Sequence, residues 1–245
     1  MKARNKMAAM LLSLGIIMNA HAERTFKSDA LATSAGVLTI TFIGHGTLMF
    51  EFLDKTFHVD PYGKLADYAT LPKADAVFIT HDHGDHLDPA ALQAVRKPGT
   101  LVVMSEACRG KLDGTVMTNG QASVFLDVPV ESVPAYNLVH IRPTGQPFHP
   151  RGAGCGFVFT FGDKRVYVAG DTENVPEMKA LKNIDVAFLP MNLPYTMTPE
   201  MVADAARAFR PKILYPYHYG ETVPAHLKKL LQDEPGIEVR IRDLR

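Results

Sequence analysis

Hydrophobic and polar positions in this chain change over in short bursts, with few long helical stripes. Residues 37–43 and 47–52 flank a glycine-bounded turn, and residues 56–59, 76–80 and 101–104 follow as short runs rich in β-branched and aromatic side chains. Such runs predict strands. Residues 130–133 and 157–161 read the same way, while 166–169, 186–189 and 213–215 are apolar throughout and predict strands covered on both faces. Helices are expected to begin at Asp88-Pro89, Ser105-Glu106, Val175-Pro176 and Thr198-Pro199. Proline at the first helical position, often behind an oxygen-bearing side chain, is a start signal. The Thr198 helix should bury Val202, Ala205, Ala206 and Phe209 at helical spacing and end before Pro211. Strands and helices mix throughout, with no linker or repeat, so the pattern predicts a single α/β domain.

The first residues form a separate unit. Lys2, Arg4 and Lys6 make a basic start, residues 7–18 are apolar, and Ala20-His21-Ala22 offers a small-residue cleavage site. This predicts a secretory signal peptide over residues 1–22 and a secreted or periplasmic domain over 23–245. The apolar stretch is short for a membrane anchor, so no transmembrane domain is expected after the leader is removed. Removing three cations and no acid takes the formal charge from 0 to −3. No basic stripe appears, which argues against a nucleic-acid partner; the oligomeric state is not legible. Cys108 and Cys155 are the only cysteines. An oxidising compartment would permit one disulfide, but two buried thiols serve the pattern better.

The densest chemistry lies in Thr80-His81-Asp82-His83-Gly84-Asp85-His86, directly after an apolar run. A polar loop whose histidines cap backbone groups would account for one imidazole, but not for three with two carboxylates in six residues. The composition suits zinc or a neighbouring divalent metal. Gly84 is expected to let the backbone turn so that His81, His83, Asp85 and His86 converge. Asp82, between two ligands that must point the same way, should turn aside as a supporting or proton-transfer group.

This segment resembles the metallo-β-lactamase superfamily signature His-x-His-x-Asp-His. Gly44-His45-Gly46-Thr47, Val59-Asp60-Pro61, Ala169-Gly170-Asp171-Thr172 and Pro216-Tyr217-His218-Tyr219-Gly220 extend the resemblance across residues 38–220. The branch it resembles contains ascorbate-6-phosphate lactonase and N-acyl-phosphatidylethanolamine phospholipase D. The resemblance implies a four-layer αβ/βα sandwich and two metal ions, most simply Zn²⁺, with Mn²⁺ or Fe²⁺ as alternatives. It implies that His81 and His83 hold the first ion, Asp85, His86 and His218 the second, with Asp171 between them. At its third motif many relatives carry a histidine where this chain has Asn137. Either that site is weak, or it prefers a harder ion, or His149 or His140 fills the place.

Supporting roles follow. Asp60 is either a partner for the far nitrogen of a ligand histidine or simply a turn former before Pro61. His45 and Tyr195 are candidate substrate contacts or proton donors, and Asp85 or Asp171 would orient the nucleophile. His58 and His226 read as structural. The implied activity is hydrolysis of a lactone, phosphodiester or related ester or amide bond by metal-activated water. The alternative is a metal-binding or sensory protein that keeps the fold without turnover.

Overall fold

The computed structural model describes residues 25–245; the expected leader lies outside the described residues. Fourteen strands form two seven-stranded sheets. The first contains β1 (Ser28–Thr33), β2 (Gly36–Gly44), β3 (Thr47–Phe52), β4 (Lys55–Val59), β5 (Ala74–Ile79), β6 (Arg96–Ser105) and β7 (Thr115–Met117), in that spatial order. The second contains β8 (Ala122–Phe125), β9 (Val128–Ala135), β10 (Gly154–Phe161), β11 (Lys164–Val168), β12 (Val186–Pro190), β13 (Ile213–Tyr217) and β14 (Glu238–Val239), again in chain order across the sheet. Each sheet begins with antiparallel hairpins and continues with parallel pairs, from β4 in the first and from β11 in the second. Two hairpins turn on two residues with positive φ, Leu53-Asp54 and Leu126-Asp127. That is the backbone that matches strand twist.

Side-chain alternation sorts the layers. In β3, Leu48, Phe50 and Phe52 enter the core between the sheets, whereas Met49 joins a second cluster on the outer face. In β5, Ala76 and Phe78 point inward while Val77 and Ile79 point outward. The outer cluster is covered by α1 (Pro89–Val95) through Ala91, Leu92 and Val95. The outer face of the second sheet is covered by α2 (Pro176–Lys179), α3 (Pro199–Phe209) and α4 (Pro224–Leu230). The result is the four-layer αβ/βα sandwich, and the sheets meet through edge-on aromatic contacts such as Phe78–Phe159 at 4.8 Å.

Helix starts follow the expected signals. Asp88 caps α1 by accepting from Ala90 and Ala91 N–H, and Thr198 caps α3 by accepting from Met201 N–H. One expected helix is absent: after Ser105 the chain makes only a three-residue 3₁₀ turn, Glu106–Cys108, because Ser105 is the last residue of β6 and provides no side-chain cap. Among the described residues no helix is long and apolar enough to cross a membrane. Cys108 and Cys155 are both buried and unpaired; burial pushes the Cys108 thiol up to about 12.

Candidate metal centre

The loops that carry the chemistry leave the carboxyl ends of β2, β4, β5, β11 and β13, the edge at which parallel strands present ligand-binding loops. Three residues there hold left-handed backbone without being glycine: His45 (φ 50°), Asp60 (φ 47°) and His218 (φ 45°). Such conformations cost roughly 1–3 kcal/mol each and persist only where neighbours enforce them. The His218 N–H bonds the His45 carbonyl at 3.1 Å, tying two of these loops together. Gly46 sits between them without room for a side chain: a Cβ would lie 2.8 Å from His86 Cε1 and 3.2 Å from His218 Cδ2. Gly84 is different from expectation. Its φ is not left-handed and open space surrounds its Cβ position, so the loop turns there without requiring glycine.

Donor atoms converge in three groups, the first two sharing His81: His81, His83 and His149; His81, His86 and Asp171; His45, Asp85 and His218. Asp171 lies at the junction. Its Oδ2 is 3.4 Å from His149 Nε2 and 3.9 Å from His81 Nε2, while its Oδ1 is 3.5 Å from His86 Nε2 and 3.6 Å from His218 Nε2. Asp85 Oδ2 lies 3.4 Å from His218 Nε2 and 3.0 Å from His45 Nε2. Each carboxylate oxygen of Asp171 thus faces a different set of imidazoles. A bridging carboxylate between two cations needs this arrangement.

Burial sharpens the point. Ten buried side-chain polar atoms among the described residues lack a hydrogen-bond partner, and six belong to His81, His86, His149, His218 and Asp171. An unsatisfied buried polar atom costs about 1–3 kcal/mol, so this concentration of lone pairs fits divalent cations far better than a structural hydrogen-bond cluster. The cavity beside Asp171, lined by His81, His83, His149, Phe148 and Pro150, holds about 20 Å³, room for one water-sized occupant. On the other side, His45, Tyr62, Lys64 and Asp85 open to a shallow cleft of about 640 Å³.

The electrostatics are tightly coupled. Burial disfavours the charged form of His86, but Asp171 and Asp60 outweigh it and push the imidazole up to about 9. Burial, and then the neighbouring His86, hold His81 well below the ordinary histidine range. For Asp171, burial acts upward, yet His218 and His86 bring it well below the carboxylate range. Asp85 is lowered likewise, by His218 and His45 against burial.

The surrounding residues show where the other candidates lie. Asp60 is fully buried; it accepts from Thr80 N at 2.8 Å and Thr80 Oγ1 at 2.6 Å, and its Oδ2 receives His86 Nδ1 at 2.8 Å. That bond places a proton on Nδ1 and leaves Nε2 as the nitrogen that faces Asp171 and Asp85. Asn137 does not face the donors. Its Oδ1 accepts from His149 N at 2.7 Å and His149 Nδ1 at 2.9 Å, so asparagine stands behind His149, which offers a donor atom beside those of His81 and His83. His140 lies elsewhere, with Nδ1 2.9 Å from Glu173 Oε1. Asp82 turns aside to pair with Lys111 while still lining the small cavity. Tyr195 stands outside the donor cluster, at the rim, with its ring on Phe148 at 5.0 Å. His58 is buried in β4 and reaches Pro72 O at 3.0 Å; His226 lies on α4, 3.5 Å from Glu200.

Sequence reasoning missed Glu173. Wholly buried, it accepts from Asn137 Nδ2 at 3.0 Å and from the N–H groups of Leu138, Val139 and His140 at 2.7 Å each. It therefore anchors the loop that delivers His149. The only signal was its place two residues after Asp171.

Comparison with known proteins places the chain among metal-dependent hydrolases by sequence and fold. The family model of the β-lactamase superfamily domain matches residues 39–218. A UPF0173 metal-dependent hydrolase of Symbiobacterium thermophilum is 32% identical over 227 residues, covering 84% of this chain and 92% of its own. A solved structure from Parabacteroides distasonis, a proposed metal-dependent hydrolase, is 51% identical with TM-score 0.86 over 90% of this chain and all of its own. Igni18, a metallo hydrolase of Ignicoccus hospitalis, is 25% identical with TM-score 0.68, covering 84% and 95%.

Proposed function

This chain belongs to the β-lactamase superfamily, and from that premise we propose that it is a metal-dependent hydrolase with a binuclear centre. His81, His83 and His149 would hold one divalent ion, Asp85, His86 and His218 the other, and Asp171 would bridge them. The observation that carries this reading is the split of the two Asp171 oxygens between two sets of partnerless imidazole nitrogens. Imidazole-rich donors favour zinc, with manganese or iron as alternatives. Such ions supply hydroxide at neutral pH and stabilise charge developing at an attacked carbonyl or phosphorus centre.

The protein's own groups complete the reaction. Asp171 and Asp85 orient the attacking water by accepting its hydrogen. His45, bonded to Asp85 and facing the open cleft, holds a proton for the leaving group. Asp82 assists from the cavity lip and Tyr195 contacts substrate at the rim. The substrate is a small molecule with a lactone, phosphodiester or related bond. The asparagine at the third motif motivates the non-catalytic alternative; the nearness of the His149 donor to those of His81 and His83 supports the catalytic reading over it. Export behind a leader ending at Ala22 completes the reading, and the N-terminal sequence of protein from a periplasmic fraction would test it.

The experiment for the centre is metal stoichiometry by mass spectrometry after loading with zinc, manganese or iron, together with hydrolysis of an aryl phosphodiester and a γ-lactone. Two ions per chain, with hydrolysis abolished by Asp171→Ala, is the expected result. No retained metal would overturn the proposal.

A further inference from the structure

Between Asn137 and His149 the chain forms a finger. Its base is closed by Asn137 N to His149 O at 3.0 Å, its stem by an antiparallel bridge between Ile141 and Pro147, and its tip by Arg142 N to Gln146 O at 2.7 Å. The tip is polar and exposed, through Arg142, Thr144 and Gln146. The stem is apolar and also exposed: Leu138 is 52%, Val139 68% and Ile141 56% accessible. A second loop, carrying Leu193 and Tyr195, joins it. Asn137 Nδ2 donates to the Tyr195 carbonyl at 2.8 Å, and the Tyr195 ring stands edge-on to Phe148. Of eleven exposed large hydrophobic residues in the described chain, these two loops hold five. Surface apolar residues are ordinarily scattered, so a concentration beside a reactive site calls for an occupant.

Phe148 decides what that occupant is. It lines the small cavity together with Ala135, Pro150, Ala153, His81 and His149, and it carries Tyr195 on its outer side. Phe148 and Tyr195 therefore stand between the donor cluster and the exposed apolar stem, with the Arg142 guanidinium 5.0 Å from the Phe148 ring centroid. A membrane-inserting loop would have its apolar residues at the tip; here the tip is polar and the stem that borders the site is apolar.

We propose that the substrate carries an acyl, alkyl or aryl arm, which lies along Phe148, Tyr195 and the stem residues Leu138, Val139 and Ile141 while its scissile group faces Asp171. The orientation of the arm rests on the metal-hydrolase reading; the exposed apolar stem does not. The finger is thus a specificity element, and its anchorage through Glu173 and Asn137 fixes it in register with His149.

The test uses a series of n-alkylphosphonic acids, methyl to octyl, bound to the full chain with and without loaded zinc, below their aggregation limits. Affinity should rise about two- to fourfold per added methylene, up to the value for a fully buried methylene. Val139→Ser and Ile141→Ser, which remove apolar surface without adding charge near an anionic probe, should flatten that slope and lower the affinity for octylphosphonate far more than that for methylphosphonate. A flat slope in the wild type, or no binding at any length, overturns the proposal. A slope that survives both substitutions overturns it too, because the arm would then lie elsewhere. A flat slope accompanied by binding to phosphatidylcholine vesicles would overturn it in favour of a membrane-facing surface. Failure of the metal reading is separable: the chain-length slope would persist while zinc left every affinity unchanged.

Discussion

Replacing Asp60 with asparagine preserves the shape of a fully buried carboxylate and alters only the hydrogen bonds it can complete. Its Oδ1 accepts the Thr80 backbone N–H, and its Oδ2 accepts the Thr80 hydroxyl and the proton of His86 Nδ1. An amide supplies one acceptor where the carboxylate supplies two. A backbone N–H cannot reverse its role, so the amide oxygen is held at Thr80 and the NH₂ group turns toward the Thr80 hydroxyl and His86. The hydroxyl can accept; His86 Nδ1 must then surrender its proton, which moves to Nε2, the atom that faces Asp171 and Asp85. The other orientation of the amide opposes two N–H groups in a dry site. Either route should weaken metal binding by about 1–3 kcal/mol, the cost of a buried unsatisfied group. That is roughly 5- to 150-fold, which brackets the 10–100-fold loss usual for partners behind a metal-ligating histidine. Zinc retained against a graded chelator, read by mass spectrometry, measures this for wild type and Asp60→Asn, with circular dichroism as the folding control. Zinc affinity within twofold of wild type would refute the reasoning. So would a loss confined to an ion proposed at His81, His83 and His149, which Asp60 reaches by way of Thr80 and not of His86.

Other outcomes are expected on similar grounds. His149→Ala should lose one of two zinc ions while His140→Ala keeps both; the reverse pattern would return the third-motif role to His140. Gly46→Ala should lower zinc affinity at least tenfold with circular dichroism unchanged, because its methyl meets His86 and His218; wild-type stoichiometry under chelator would show that the loop has slack. Asp29 ties β1 to Arg242 at 2.6 Å and to Tyr215 Oη of β13 at 2.5 Å. Burial alone would raise its carboxyl, but these partners lower it below the ordinary 3.8. Its contribution is therefore complete above 3.8 and lost as pH falls through the lowered folded value. Urea unfolding should show wild type more stable than Asp29→Asn by a constant margin near neutrality, with the margin closing only below about pH 4; a margin that closes at higher pH would count against this. Glu173→Ala should leave three loop N–H groups without their acceptor and reduce zinc binding at the His149 site, and unchanged binding there would show that Asn137 alone holds the finger.

Much of this molecule is legible from residue order because the relevant forces are local. Alternation in Thr47–Phe52 marks a strand between two apolar layers, and a cap followed by proline at Thr198-Pro199 starts a helix wherever it occurs. Ligand density at His81, His83, Asp85 and His86 announces a metal before any fold is known, since that composition has few other uses. Where such local signals are weak, the sequence misleads: Ser105-Glu106 resembles a helix start, but strand pairing of β6 with β5 and β7 claims the backbone first. Gly84 looks obligatory and is not. What only tertiary structure decided were relations between distant segments. Asn137 could be read as a poor ligand until the finger brought His149 in front of it. Asp60 could be a turn former until packing set it behind His86, and Glu173 had no visible role until three N–H groups converged on it. The left-handed backbones of His45, Asp60 and His218 belong to the same class, because their strain is offset by contacts from other strands. A one-dimensional pattern records which atoms can bind a proton or a metal; which lone pair is left free depends on neighbours that folding supplies.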